Sequence, residues 1–74
     1  MFDGVFLASL IDRKEEVFGV ALAKHVEPIE FTRGRLTVKV DSDARRQVVF
    51  DMRNVVLERL DEFSPGAVKR IFFV

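Results

Sequence analysis

The stretch Arg33-Gly34-Arg35-Leu36-Thr37-Val38-Lys39-Val40-Asp41-Ser42, followed by Asp43-Ala44-Arg45-Arg46-Gln47 and the run from Val48 to Leu60, decides the fold. Leu36, Val38 and Val40 alternate with Arg35, Thr37 and Lys39, the period-two pattern of a strand with one buried face. Gly34 can take positive φ, so Arg33-Gly34 supplies a turn into an antiparallel hairpin. After the strand, Asp41 or Ser42 can cap a helix, and Asp43 in its first turn is favoured by the helix dipole. Ala44, Val48, Val49, Met52, Val55, Val56, Leu60 and Phe63 then form one broad apolar face at helical spacing. This predicts a single long helix, stopped sharply by Ser64-Pro65-Gly66.

Working outward, Pro28 sets the chain into an extended conformation, and Ile29 and Phe31 alternate with Glu30 and Thr32 as the partner strand. Farther upstream, Phe2, Val5, Phe6 and Leu10 have helical spacing, with Leu7 and Ile11 on an adjacent stripe. Asp12 with Glu15 three residues later has the capping-box pattern. It points to a second helix from about Arg13 to His25, carrying Val17, Val20, Ala21 and Leu22; whether this continues the first helix or breaks at Asp12 stays open. Downstream, Val68 to Val74 is β-branched and aromatic and reads as a final strand. The order is one or two helices, strand, strand, helix, strand: an α+β domain with helices on one face of a three-stranded sheet.

Seventy-four residues make one domain, expected to span 1–74. A chain of this size buries only about 60–65% of the surface its unfolded form exposes, so nearly every apolar residue must contribute. The 49% hydrophobic content and eight Phe suffice for that. With no Cys there is neither a disulfide framework nor thiolate chemistry, which suits a reducing cytoplasm. The longest apolar stretch, Val5 to Ile11, is far shorter than the roughly 20 residues a bilayer requires, and no basic n-region precedes it. No membrane association is expected. Twelve basic and twelve acidic residues balance, so any nucleic-acid contact must rest on a local patch.

Several segments carry a resemblance when taken together. Val17-Phe18-Gly19, Leu22-Ala23-Lys24-His25-Val26-Glu27-Pro28, the run Gly34 to Ala44, and Val68-Lys69-Arg70-Ile71-Phe72-Phe73 follow one another in order. Over about residues 17–73 the chain resembles the DciA-type domain of bacteria. That resemblance implies a KH-like fold, α(α)-β-β-α-β, and a non-enzymatic role as a helicase loader. It further implies binding to single-stranded or forked DNA and recruitment of a replicative DNA helicase. The aromatic residue that usually follows Ser-x-Ala in the family is Arg45 here. The sequence reads as a short form that lacks the basic tail many members carry after the domain, for which a narrower role is expected. The Gly-x-x-Gly loop that clamps a nucleic-acid backbone in KH domains is missing, since no two of the four glycines have that spacing.

The candidate nucleic-acid residues are Arg33, Arg35, Lys39 and Arg70 on the hairpin and sheet, with Arg46 and Arg53 on the long helix. Arg35, Thr37, Lys39, Arg70 and Phe72 share one sheet face if Ile71 and Phe73 point inward with Leu36 and Val38. Such a basic, partly aromatic face can bind single strands by charge and stacking; equally, it can be a solvated face, diluted by Glu27 and Glu30. Arg46, Phe50, Arg53 and Leu57 fall at i, i+4, i+7 and i+11, a stripe that can hold phosphates or a partner helix, or can pack beneath the N-terminal helix. Phe50, Leu57 and Phe72 are the candidate partner interface. Together with the zero net charge they motivate the alternative function, a protein-interaction or homodimerisation module without nucleic-acid contact.

No catalytic residue emerges: Ser9, Ser42 and Ser64 lack a plausible base, and no Gly-rich phosphate loop exists. No cofactor is expected. His25 is the single histidine, and one imidazole without Cys is a poor metal set; a helix-end role at terminal carbonyls is expected instead. Arg45 and Arg59 lie within the apolar sector of the long helix, where their stems can cover apolar surface.

Overall fold

A computed structural model describes residues 3–74. Its elements run α1 (Asp3–Asp12), α2 (Lys14–Phe18), α3 (Val20–Ala23), β1 (Val26–Thr32), β2 (Arg35–Val40), α4 (Asp43–Asp51), α5 (Arg53–Phe63) and β3 (Arg70–Phe73). The sheet order is β1-β2-β3. β2 lies centrally, antiparallel to β1 and parallel to β3. A parallel step needs a long crossover, and α4 and α5 supply it between β2 and β3. The result is an α+β arrangement consistent with a KH-like fold. No described helix is long and apolar enough to cross a membrane.

The hairpin follows from its turn. Arg33 and Gly34 both have positive φ, 53° and 79°, as a two-residue turn matching strand twist requires. Leu36, Val38 and Val40 are buried, while Arg35 and Lys39 are exposed. The expected alternation in β1 fails. The register shifts between Pro28 and Glu30, so Ile29 is a bulge residue standing in solvent, and Val26, Pro28 and Phe31 face the core side. The strand also begins two residues before Pro28, which is tolerated because β1 is an edge.

The expected second helix from Arg13 to His25 is broken. Gly19 adopts φ 84° and ψ 155°, which ends α2 and starts α3. The first break falls at Arg13, whose N–H reaches the carbonyls of Ser9 and Leu10. Arg13, not Asp12, is the N-cap, and it makes no side-chain cap bond, so the capping box does not form. Val17 is buried as expected, but Val20 is 74% exposed because α3 starts afresh with a different phase. On α1, Leu10 is fully buried and Phe6 stacks on Phe31 at 4.2 Å, with Phe63 edge-on at 5.8 Å; Val5 and Ile11 point outward. Phe2 lies outside the described residues.

The single long helix is likewise two. Ser42 caps α4 by accepting the Arg45 N–H at 3.2 Å. At Met52 (φ −93°, ψ 11°) the N–H is shared between the Val48 and Val49 carbonyls, and α5 begins after it. α4 then lies over β2, while α5 packs on α2 and β3. The expected apolar face is narrower than its sequence suggests. Val49, Val56 and Leu60 are buried, Met52, Leu57 and Phe63 pack at the core margin, and Val48 and Val55 are exposed. Ser64-Pro65-Gly66 stops α5 as expected, with Gly66 at φ 75° and its N–H bound by Asp61. Strand β3 is shorter than expected, but its pairing extends to Val74, which donates to the Val38 carbonyl.

Candidate nucleic-acid interface

The outer sheet face, away from the helices, carries the side chains that the core rejects. Register places Arg35 opposite Arg70, Thr37 opposite Phe72, and Lys39 opposite Glu27. At the hairpin end of this face Arg33, Arg35, Lys69 and Arg70 converge with Thr32 around a depression of about 370 Å³. No carboxylate among the described residues lies within ion-pair distance of these four cations. Like charges directly opposite on adjacent strands destabilise a sheet, so an anion seated here relieves a repulsion built into the fold. The Arg35 guanidinium lies 5.5 Å from the centre of the Phe72 ring, extending the cluster toward an exposed aromatic surface. Phe72 is 43% exposed.

Gly34 makes this convergence possible. Its carbonyl accepts from Lys69 N–H at 2.7 Å and Arg70 N–H at 3.1 Å, pulling the start of β3 against the turn. A Cβ on Gly34 would sit 2.7 Å from Lys69 Cγ. Lys69 is the member of the cluster that sequence reasoning missed. Its only signal is adjacency to Arg70, and it lies just before the strand, where no alternation marks a face.

The other candidates lie elsewhere. Lys39 stands at the far end of β2, with Glu27 across from it, and lines a second depression with Lys14, Lys24 and His25. Lys14 there donates to the Val26 carbonyl at 3.0 Å. Arg46 is held by Asp43 at 2.5 Å, on α4. Arg53 lies over the Phe50 ring at 4.2 Å and donates to the Phe50 carbonyl. These two arginines line the helix side and do not join the sheet cluster. Phe50 is 43% exposed and meets Phe73 edge-on at 6.0 Å, whereas Leu57 packs against the core instead of standing on an exposed stripe.

His25 does not serve helix-terminal carbonyls. Its Nδ1 meets Asp41 Oδ2 at 2.7 Å, and the Asp41 N–H returns to the His25 carbonyl at 3.1 Å, tying the start of β1 to the end of β2. The His25 hydrogen bond, with lesser help from the charges of His25 and Arg45, holds the Asp41 carboxyl below its usual range. Arg59 donates to the Val17 carbonyl at 3.2 Å, a bond that fastens α5 to α2, while Arg45 lies 3.8 Å from Asp41. Among the described residues no group of three or more acidic or His side chains could hold a metal ion.

The family model described as "Dna[CI] antecedent, DciA" matches residues 1–73, nearly the whole chain. No curated protein matches it significantly.

Proposed function

The chain belongs to the DciA family, which is associated with helicase loading, and we propose that it is a non-enzymatic module that holds single-stranded or forked DNA and recruits a replicative DNA helicase. The observation that carries the DNA reading is the cluster of Arg33, Arg35, Lys69 and Arg70, four cations with no described carboxylate partner. Guanidinium groups suit phosphate oxygens because their fork of donors can bind two at once. Phe72 beside them offers a ring face for a base, and stacking of that kind is tolerant of sequence. With no net charge on the chain, attraction to DNA rests on this local cluster, so binding is salt-sensitive.

The test is a titration of an oligo-thymidine strand and a forked duplex at low and moderate salt, together with co-sedimentation with a replicative helicase. Salt-sensitive binding that requires Arg35 and Arg70 is expected. Absence of DNA binding at low salt would overturn the DNA reading, and absence of helicase association would overturn the recruitment reading. A protein-interaction role without nucleic acid is the second reading, favoured by the exposed rings of Phe50 and Phe72. It predicts no change on titrating DNA.

A further inference from the structure

β3 is an edge strand that stays open on the side away from β2. The Arg70 N–H reaches the Gly34 carbonyl, the Val74 N–H reaches that of Val38, and the Val74 carbonyl accepts from Val40. Alternation along a parallel ladder therefore turns the backbone groups of Phe72 toward β2 as well. It leaves the N–H and C=O of Ile71 and Phe73 pointing outward. The opposite edge is blunted: β1 carries Pro28, which has no N–H, and a bulge at Ile29. β3 has neither device, and Ile71-Phe72-Phe73-Val74 is an apolar run of high β-propensity.

Helix α4 stands beside this open edge, and of its nine residues only Val49 is buried. Between α4 and β3 runs a groove of about 700 Å³. Phe50 and Phe73, edge to face, line it, and Arg46 borders it. Arg53 over Phe50 and Arg35 over Phe72 flank it. Asp43 is the one carboxylate in the lining, and Arg46 already occupies it.

We propose that this groove takes an extended, acidic segment of a partner protein, added to β3 as a fourth strand. Its apolar side chains fall at alternate positions against Phe50 and Phe73, and its carboxylates reach the flanking arginines. The outward backbone groups choose a polypeptide. They present donors and acceptors alternately, and a peptide strand answers both, whereas phosphates supply acceptors only and would leave the two carbonyls unmet. The flanking cations choose an acidic sequence. They also disfavour a second copy of this chain, which would bring the same arginines to the same edge.

The test adds a short blocked peptide alternating Val or Phe with Glu to the full, isotope-labelled chain, read by amide resonances. The amides of Ile71 and Phe73 are expected to shift and to exchange hydrogen at least about tenfold more slowly. N-methylation of the peptide amides that face β3 should abolish both effects, and N-methylation of the opposite edge should leave them. A peptide with Lys in place of Glu should bind about tenfold more weakly or worse. The proposal is overturned by unchanged Ile71 and Phe73 amides at millimolar peptide, or by equal binding of the two methylated peptides or of the Lys peptide. It is also overturned by protection that grows with protein concentration alone, which identifies a second copy, or by the same protection from oligo-thymidine, which identifies nucleic acid. Because the probe contains no nucleic acid, this outcome is independent of DNA binding at the outer face.

Discussion

Gly34 and Lys69 are in contact across the sheet, through a 2.7 Å hydrogen bond from the Lys69 N–H to the Gly34 carbonyl. The missing side chain at Gly34 leaves room for the Lys69 stem, which any Cβ would meet at 2.7 Å. One residue thus closes the hairpin and docks the third strand. Gly34→Ala should destabilise the domain by about 1–3 kcal/mol, combining the left-handed backbone penalty with the clash. Denaturant titration measures this, and a change below a few tenths of a kcal/mol would show that the turn relaxes freely. At concentrations where the variant stays folded, DNA binding should also weaken, since Lys69 and Arg70 shift.

Neutralising the opposed pair tests the cluster. Arg35→Gln with Arg70→Gln should flatten the salt dependence of single-strand binding by about 0.7 in log–log slope for each phosphate that is no longer neutralised. The same double substitution should leave stability unchanged or slightly raised, because it removes a like-charge pair opposed in register. Arg46→Gln, on the far side of the groove, should change the slope less.

Burial separates two apolar residues that look alike in the sequence. Leu36→Ala, at a fully buried central-strand position, should cost about 2–5 kcal/mol. Val20→Ser, at a site 74% exposed, should stay within about 0.5 kcal/mol of the parent. Thermal melts of the two variants decide the point, and comparable losses would contradict the break at Gly19.

The His25–Asp41 clasp gives an acid limb. Because the Asp41 carboxyl titrates below its ordinary value in the folded chain, its contribution is present above about pH 4. That contribution is lost as pH falls through the depressed value. Asp41→Asn should flatten this part of the stability–pH curve while leaving its slope near neutrality to other groups. An unchanged acid limb would mean the clasp contributes nothing.

Much of the architecture was legible because its causes are local. The alternation of Leu36, Val38 and Val40, the turn at Gly34, the Ser42 cap and the Ser64-Pro65-Gly66 stop each involve neighbours within a few residues. Family membership was legible for a related reason, as a string of such local signals in order. Parity placed Arg35, Thr37, Lys39, Arg70 and Phe72 on one sheet face, but it could not show that Lys39 stands at the far end of β2, apart from the cluster. The placement of Arg46 and Arg53 on the helix side was legible as well, whereas the addition of Lys69 to the cluster was not, because it lies just before β3, where no alternation marks a face.

By itself, then, the sequence determined the element types, the α+β class, the hairpin and the family. The tertiary structure alone decided the parallel register that sets Arg35 against Arg70, the inward turn of Leu57, the bulge that exposes Ile29, and the partnership of His25 with Asp41. The physical reason is range. A turn, cap or alternation is set by short-range sterics and hydrogen bonds, whereas strand register and helix phase are chosen by burial summed over residues distant in the chain.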